Sequence, residues 1–130
     1  MAYPFRWRRF APPLWAALVV TWAGTVLVFS LIPNPPVPKT GWLSWDKLQH
    51  ASAYAVMTFF LGMRLASTVR WRRSRWFWAA LCAILFGALM EVAQGALTTS
   101  RTADVTDAVA NAVGATLVAA AGRLFGRRYE

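Results

Sequence analysis

PLWAALVVTWAGTVLVFSLI, residues Pro13–Ile32, runs for 20 positions without one charged side chain. A helix needs about 20 mostly apolar residues to cross a bilayer, and this stretch meets that length with no interruption. Outward from it, three more apolar stretches follow: Trp45–Ser67, Trp76–Leu97 and Thr102–Phe125, the last rich in Ala and Gly. Together they predict an all-α integral membrane bundle of four helices in a single domain over residues 1–130. A cleaved signal peptide is the competing reading of the first stretch, with Arg6, Arg8 and Arg9 as its positive region. Signal peptides carry an apolar core of only about 7–15 residues and a small-residue cleavage site. The stretch is longer and ends in Ile32-Pro33-Asn34-Pro35-Pro36, so a retained helix is expected.

The composition agrees. Of 130 residues, 58% are hydrophobic and 15% charged, against about 45–50% and about 25% in soluble domains. A disordered chain, a coiled coil and a basic nucleic-acid-binding domain are excluded. The net charge of +9, from 14 Lys and Arg against 5 Asp and Glu, falls in short clusters between the apolar runs. That is the pattern of membrane topology. The single cysteine, Cys82, lies within an apolar run and reads as a small buried hydrophobe.

The arginines set the expected orientation. Arg6, Arg8 and Arg9 precede the first stretch, Arg70, Arg72, Arg73 and Arg75 lie between the second and third, and Arg123, Arg127 and Arg128 close the chain. The positive-inside rule makes these regions cytoplasmic, with both termini on the inner side. Contact with anionic headgroups is their ordinary role. Residues 33–44 and 98–101 then face outward, the former a stiff Pro-rich connector. Trp42 and Trp45 on that side, with Trp71, Trp76 and Trp78 on the other, suit interfacial aromatic belts.

Only five acids are present: Asp46, Glu91, Asp104, Asp107 and Glu130. Under this topology the first four lie toward the outer side. With a rise of about 1.5 Å per residue, His50 falls about 6 Å below Asp46 and Tyr54 about 12 Å, Glu91 about 9 Å below Leu97, and Asn111 about 10 Å below Asp104. Polar residues from three helices thus share one depth. They also share faces: Lys47, His50 and Tyr54 at i, i+3, i+7 with Asp46 beside them; Glu91 and Gln94 at i, i+3; Asp104, Asp107 and Asn111 at i, i+3, i+7. A charge facing lipid costs about 2.5 kcal/mol or more, so the stripes should turn inward and meet, with Arg101 reaching over the acids. Gly87 and Gly95, four residues either side of Glu91, and Ala108, Ala112, Gly114 and Ala115 allow close helix approach.

These residues carry a resemblance. Asp46-Lys47-x-x-His50-x-x-x-Tyr54, Glu91-x-x-Gln94 and Arg101-x-x-Asp104-x-x-Asp107-x-x-x-Asn111-x-x-Gly114, in that order, resemble the VanZ-like family, as does Phe29-Ser30-Leu31-Ile32-Pro33. The similarity runs from about Leu14 to Gly122. It implies a small multi-span protein of the bacterial envelope. The family is named after a teicoplanin-resistance protein, and the resemblance brings no settled reaction with it.

Each polar residue also has an ordinary structural role open to it. Asp46 and Asp104 are placed to cap helices, with Ser44 and Thr102 beside them. Lys47 and Arg64 sit near helix ends, where they can snorkel, Tyr54 can pack, and Gln94 and Asn111 can bond neighbouring helices. Glu91 is hardest to read as scaffold. Inside a span it must be protonated, paired with Arg101 or Lys47, or bound to a ligand.

Three readings follow. In the first, the site binds or modifies an amphiphilic envelope lipid or glycolipid precursor. His50, Glu91 and Asp107 are the candidate catalytic residues; Asp46, Lys47, Tyr54, Gln94, Arg101, Asp104 and Asn111 are the candidate ligand-binding residues. Lys47 and Arg101 would hold an anionic head group. No cofactor is expected. A divalent metal on Asp104, Asp107, Glu91 and His50 is a variant that the Lys47 and Arg101 charges oppose. In the second, the cluster is a structural network in a non-catalytic envelope factor or complex subunit. In the third, a homodimer transports a substrate with protons. Membrane lipids are the expected partners, nucleic acid is not, and a homo-oligomer or larger complex is compatible with all three.

Overall fold

A computed structural model describes residues 7–32, 45–66, 68–69, 72–99 and 102–125. The Pro-rich connector, Trp42, Trp71 and Arg101 lie outside them. The described chain is all-helical: α1 (Trp7–Leu31), α2 (Trp45–Leu65), α3 (Arg72–Leu97) and α4 (Val105–Phe125). The expected stretches are all there. α1 begins earlier than expected, taking in Pro12 and Pro13, and α4 begins three residues later because Asp104 ends the preceding turn.

Three helices, α1, α3 and α4, are long and apolar enough to cross a membrane. α2, expected as a fourth of the same kind, is not apolar enough: Asp46, Lys47, Gln49, His50, Tyr54 and Arg64 dilute its hydrophobic residues. Its position explains why this is tolerated. α2 packs against each of the other three, most extensively against α4, while α1 touches only α2 and, lightly, α3. α2 therefore meets its polar needs inside the bundle.

Burial is inverted relative to a water-soluble fold. Thr58, Glu91, Gln94 and Asn111 are buried, whereas Val20, Leu89, Val92, Leu97 and Leu117 stand exposed. In lipid that is the favourable arrangement, because hydrocarbon solvates the apolar surface and punishes unmet polar groups. Cys82 also faces outward, correcting the expectation of burial; a small apolar thiol has no reason to avoid lipid.

Close approach between helices accompanies a core that includes Tyr54, Met57, Trp76 and Met90. A Cβ at Gly114 would overlap the Ala51 carbonyl, so α4 and α2 meet backbone to backbone there. Trp76 of α3 was expected in an interfacial belt. It is instead only 5% exposed, wedged between Gly62 of α2 and Gly122 of α4, either of which would collide with its indole if given a Cβ. Trp78 does face outward. α1 is tied in by Trp22, whose indole N–H donates to the Ala53 carbonyl at 2.9 Å, and by the Gln94 amide, which donates to the Ser30 carbonyl at 3.1 Å. Trp22 and Trp15 meet Phe60 edge-on and tilted, respectively.

The charges are segregated. Arg64, Arg73, Arg75 and Arg123 lie at one end, where the Arg123 guanidinium donates to the Arg73 carbonyl. The described acids, Asp46, Glu91, Asp104 and Asp107, all lie at the other end, where α2 and α4 begin and α1 and α3 finish.

Candidate functional site

The acidic end is built by helix starts and by the close seam between α2 and α4. Asp104 caps α4: its Oδ1 accepts the Thr106 amide and the Thr106 hydroxyl, each at 2.7 Å, meeting an otherwise orphaned amide of the first turn. These bonds, with Lys47 nearby, hold its carboxyl down at about 2, below the usual 3.8. Asp107 follows one turn on and Asn111 one turn deeper, both toward α2.

Across the seam, Lys47 donates to both acids of α4, to Asp104 Oδ2 at 3.2 Å and, more tightly, to Asp107 Oδ1. The pairing of Lys47 with Glu91, one of the expected alternatives, does not occur, because the rotation of α2 turns Lys47 toward α4. His50, one turn below, presents Nδ1 to Asn111 Oδ1 at 3.1 Å. Its Nε2 faces Asp107 Oδ2 at 3.6 Å and Asp46 Oδ1 at 3.9 Å. Asp46 sits in the first turn of α2; the neighbouring cap candidate, Ser44, lies outside the described residues.

Glu91, 6% exposed, accepts the backbone amide of Asp104 at 3.2 Å. This carboxylate therefore fastens α3 to the turn that starts α4, and it lies within electrostatic reach of His50, Asp107 and Tyr54. Tyr54 is buried just below, its ring against Phe86 and against the bare backbone of Gly87. Gln94 departs from the stripe it shares with Glu91 and reaches to α1. Asp46, Lys47, His50, Asp104, Asp107 and Asn111 thus form one connected cluster with Glu91 at its edge, Tyr54 beneath it and Gln94 beside it.

The cluster is graded in exposure: the Asp104 side chain is 46% exposed, Asp107 only 13%. Its chemistry follows from that grading. At the open rim it offers carboxylate acceptors; deeper in, it offers an imidazole oriented by an amide. The Thr98 and Thr106 hydroxyls bond to the Gln94 carbonyl and to Asp104. Thr58, which sequence reading passed over, is buried with its hydroxyl returned to the Tyr54 carbonyl at 2.8 Å. A polar residue within an apolar run was the only signal for it.

No curated protein and no solved structure matches the chain. The family model described as VanZ/LLP1 matches residues 15–126, a range containing all four helices' packed portions and every member of the cluster. The chain belongs to the VanZ/LLP1 family.

Proposed function

We propose that this envelope membrane protein engages the head group of an amphiphilic lipid or glycolipid precursor at its acidic end, and that it alters sensitivity to glycopeptide-type antibiotics by doing so. The observation that carries this reading is the segregation of charge. Arginines gathered at one end support a reading in which that end faces the cytoplasm, both termini are inside, and the acidic rim opens to the outer leaflet of the inner membrane. Lys47 is engaged by two carboxylates, so the rim presents acceptors. A glycan, with its many hydroxyl donors, suits such a rim better than a bare phosphate.

The test has two arms. Native mass spectrometry of the protein in nanodiscs, with a polyprenyl-diphosphate-linked disaccharide as probe, should show a bound adduct that His50→Ala and Asp107→Asn weaken. Expression in a teicoplanin-sensitive bacterial host should raise tolerance, and the same substitutions should abolish the rise at equal membrane abundance. Absence of both effects in the wild type overturns the proposal.

A second reading is favoured by the double engagement of Lys47: the cluster serves as a lock between α2 and α4. A buried pair is a poor source of net stability but a costly one to break. Under that reading the substitutions lower the amount of folded protein, and tolerance falls only in proportion.

A further inference from the structure

We propose that Asp46, His50 and Asp107 form a binding site for a divalent transition-metal ion. Each offers one ligand atom, and the three atoms lie within 4.8 Å of one another. This set differs from the expected one, in which Glu91 and Asp104 were ligands; those two carboxylates are committed to the Asp104 amide and to the α4 cap. The proposal goes beyond the lipid reading and does not depend on it.

The first argument is the orientation of the imidazole. His50 Nδ1 faces the Asn111 carbonyl oxygen, so Nδ1 carries the proton and donates. The lone pair of neutral His50 is therefore on Nε2, the nitrogen that faces the two carboxylates. A lone pair aimed at two anions is unfavourable unless a cation or a proton lies between them. Metal-bound histidines have this arrangement: one nitrogen on the ion, the other donating to an oxygen that fixes the tautomer.

Distances agree. Donors about 2.1 Å from a tetrahedral ion lie about 3.4 Å from each other. His50 Nε2 stands 3.6 Å from Asp107 Oδ2 and 3.9 Å from Asp46 Oδ1, close to that spacing, and the two aspartate oxygens, within 4.8 Å of each other, draw together by rotamer adjustment to close the shell. Asp46 and His50 are four residues apart on one face of α2, and Asp107 faces them from α4. An imidazole with two carboxylates suits a first-row divalent ion such as Zn2+ or Mn2+.

Lys47 does not block the site. It bonds Asp107 through Oδ1, while Oδ2 is the oxygen turned to His50. Three aspartates, Asp46, Asp104 and Asp107, surround the single lysine of the cluster, so a divalent ion offsets an excess of carboxylates that lipid would not solvate. Three protein ligands also leave coordination positions free toward the exposed side of Asp46, as in metal sites that take a further ligand.

The chain contains a single histidine, which makes the test direct. Tag-free, chelator-treated full-length protein in nanodiscs is titrated with Zn2+ and, separately, Mn2+. Bound metal is measured by elemental analysis after exchange, and the imidazole 15N resonances are followed with the diamagnetic Zn2+. About one equivalent per chain is expected, with the Nε2 resonance shifting while Nδ1 stays protonated. His50→Ala and Asp46→Asn should each weaken binding at least about tenfold, a loss of about 1.4 kcal/mol. Gln49→Ala, on the exposed face of α2, should bind like the wild type. Should either variant fail to fold, the wild-type imidazole spectrum decides alone. No stoichiometric metal, or imidazole resonances unmoved at saturation, overturns the proposal. Metal binding without any lipid adduct would leave this site standing and sink only the lipid reading.

Discussion

His50 Nδ1 and Asn111 Oδ1 stand 3.1 Å apart across the seam between α2 and α4, and this one bond decides which nitrogen of the ring faces the acids. It also joins the two helices that pack most extensively, with Asn111 1% exposed and the His50 side chain 16%. Interhelical hydrogen bonds in membrane proteins contribute about 0.6 kcal/mol on average and about 1.7 kcal/mol at most. A double-mutant cycle of His50→Ala and Asn111→Ala, read by reversible unfolding in micelles, should give a coupling energy in that range. Strict additivity would show that the bond contributes nothing.

Lys47 tests the lock. Lys47→Met strands Asp104 and Asp107 without their cation; with Asp107 13% and Asp104 46% exposed, the cost should fall between the about 1 kcal/mol of an exposed pair and the about 3–5 kcal/mol of a fully buried one. Adding Asp107→Asn removes the more deeply placed of the two stranded charges and should recover part of the loss. A double variant less stable than Lys47→Met would contradict this account of the cluster.

Two glycines predict opposite outcomes. Gly114→Ala drives a methyl into the Ala51 carbonyl, and with backbone on the receiving side the cost should reach or exceed the usual 1–3 kcal/mol of overpacking. At Gly24 a Cβ meets nothing within 4 Å. Gly24→Ala should therefore be neutral or stabilise by up to about 1 kcal/mol through helix propensity. Equal effects at both positions would mean that α2 and α4 do not meet as described.

Acid should loosen the start of α4 through Asp104. Its folded value, about 2, lies below the ordinary 3.8, because the Thr106 hydroxyl and amide, and then Lys47, favour the charged form. The stabilisation is complete above the ordinary value and disappears as pH falls through about 2. Unfolding followed from pH 5 to pH 2 should therefore show a loss of stability that Asp104→Asn flattens. An unchanged slope in the variant would assign the acid sensitivity elsewhere.

The helices and the collection of acids at one end were legible in residue order, whereas α1 and α3 start six and four residues earlier than expected and α4 three later. Length, apolarity and the cost of a charge in lipid act along one chain segment at a time. The expectation for Lys47 shows where such reading stops. Its depth was correct, yet Glu91 and the α4 acids share that depth, and the choice among them rests on the rotation of α2 about its axis. That rotation is set where Gly114 meets Ala51 and where Trp76 enters between Gly62 and Gly122. The same contacts place Trp76 inside, although hydropathy alone treats it like Trp78.

Residue order alone therefore determined that this chain is a helical bundle of the membrane with a polar end built from α2, α3 and α4, because transfer costs depend on composition. Three-dimensional packing decided that α2 meets all three other helices and α4 most extensively, that Lys47 bridges Asp104 and Asp107, that Glu91 holds an amide, and that His50 turns Nε2 toward Asp46 and Asp107. Those outcomes depend on which faces meet, and faces are chosen by steric fit between helices distant in the chain.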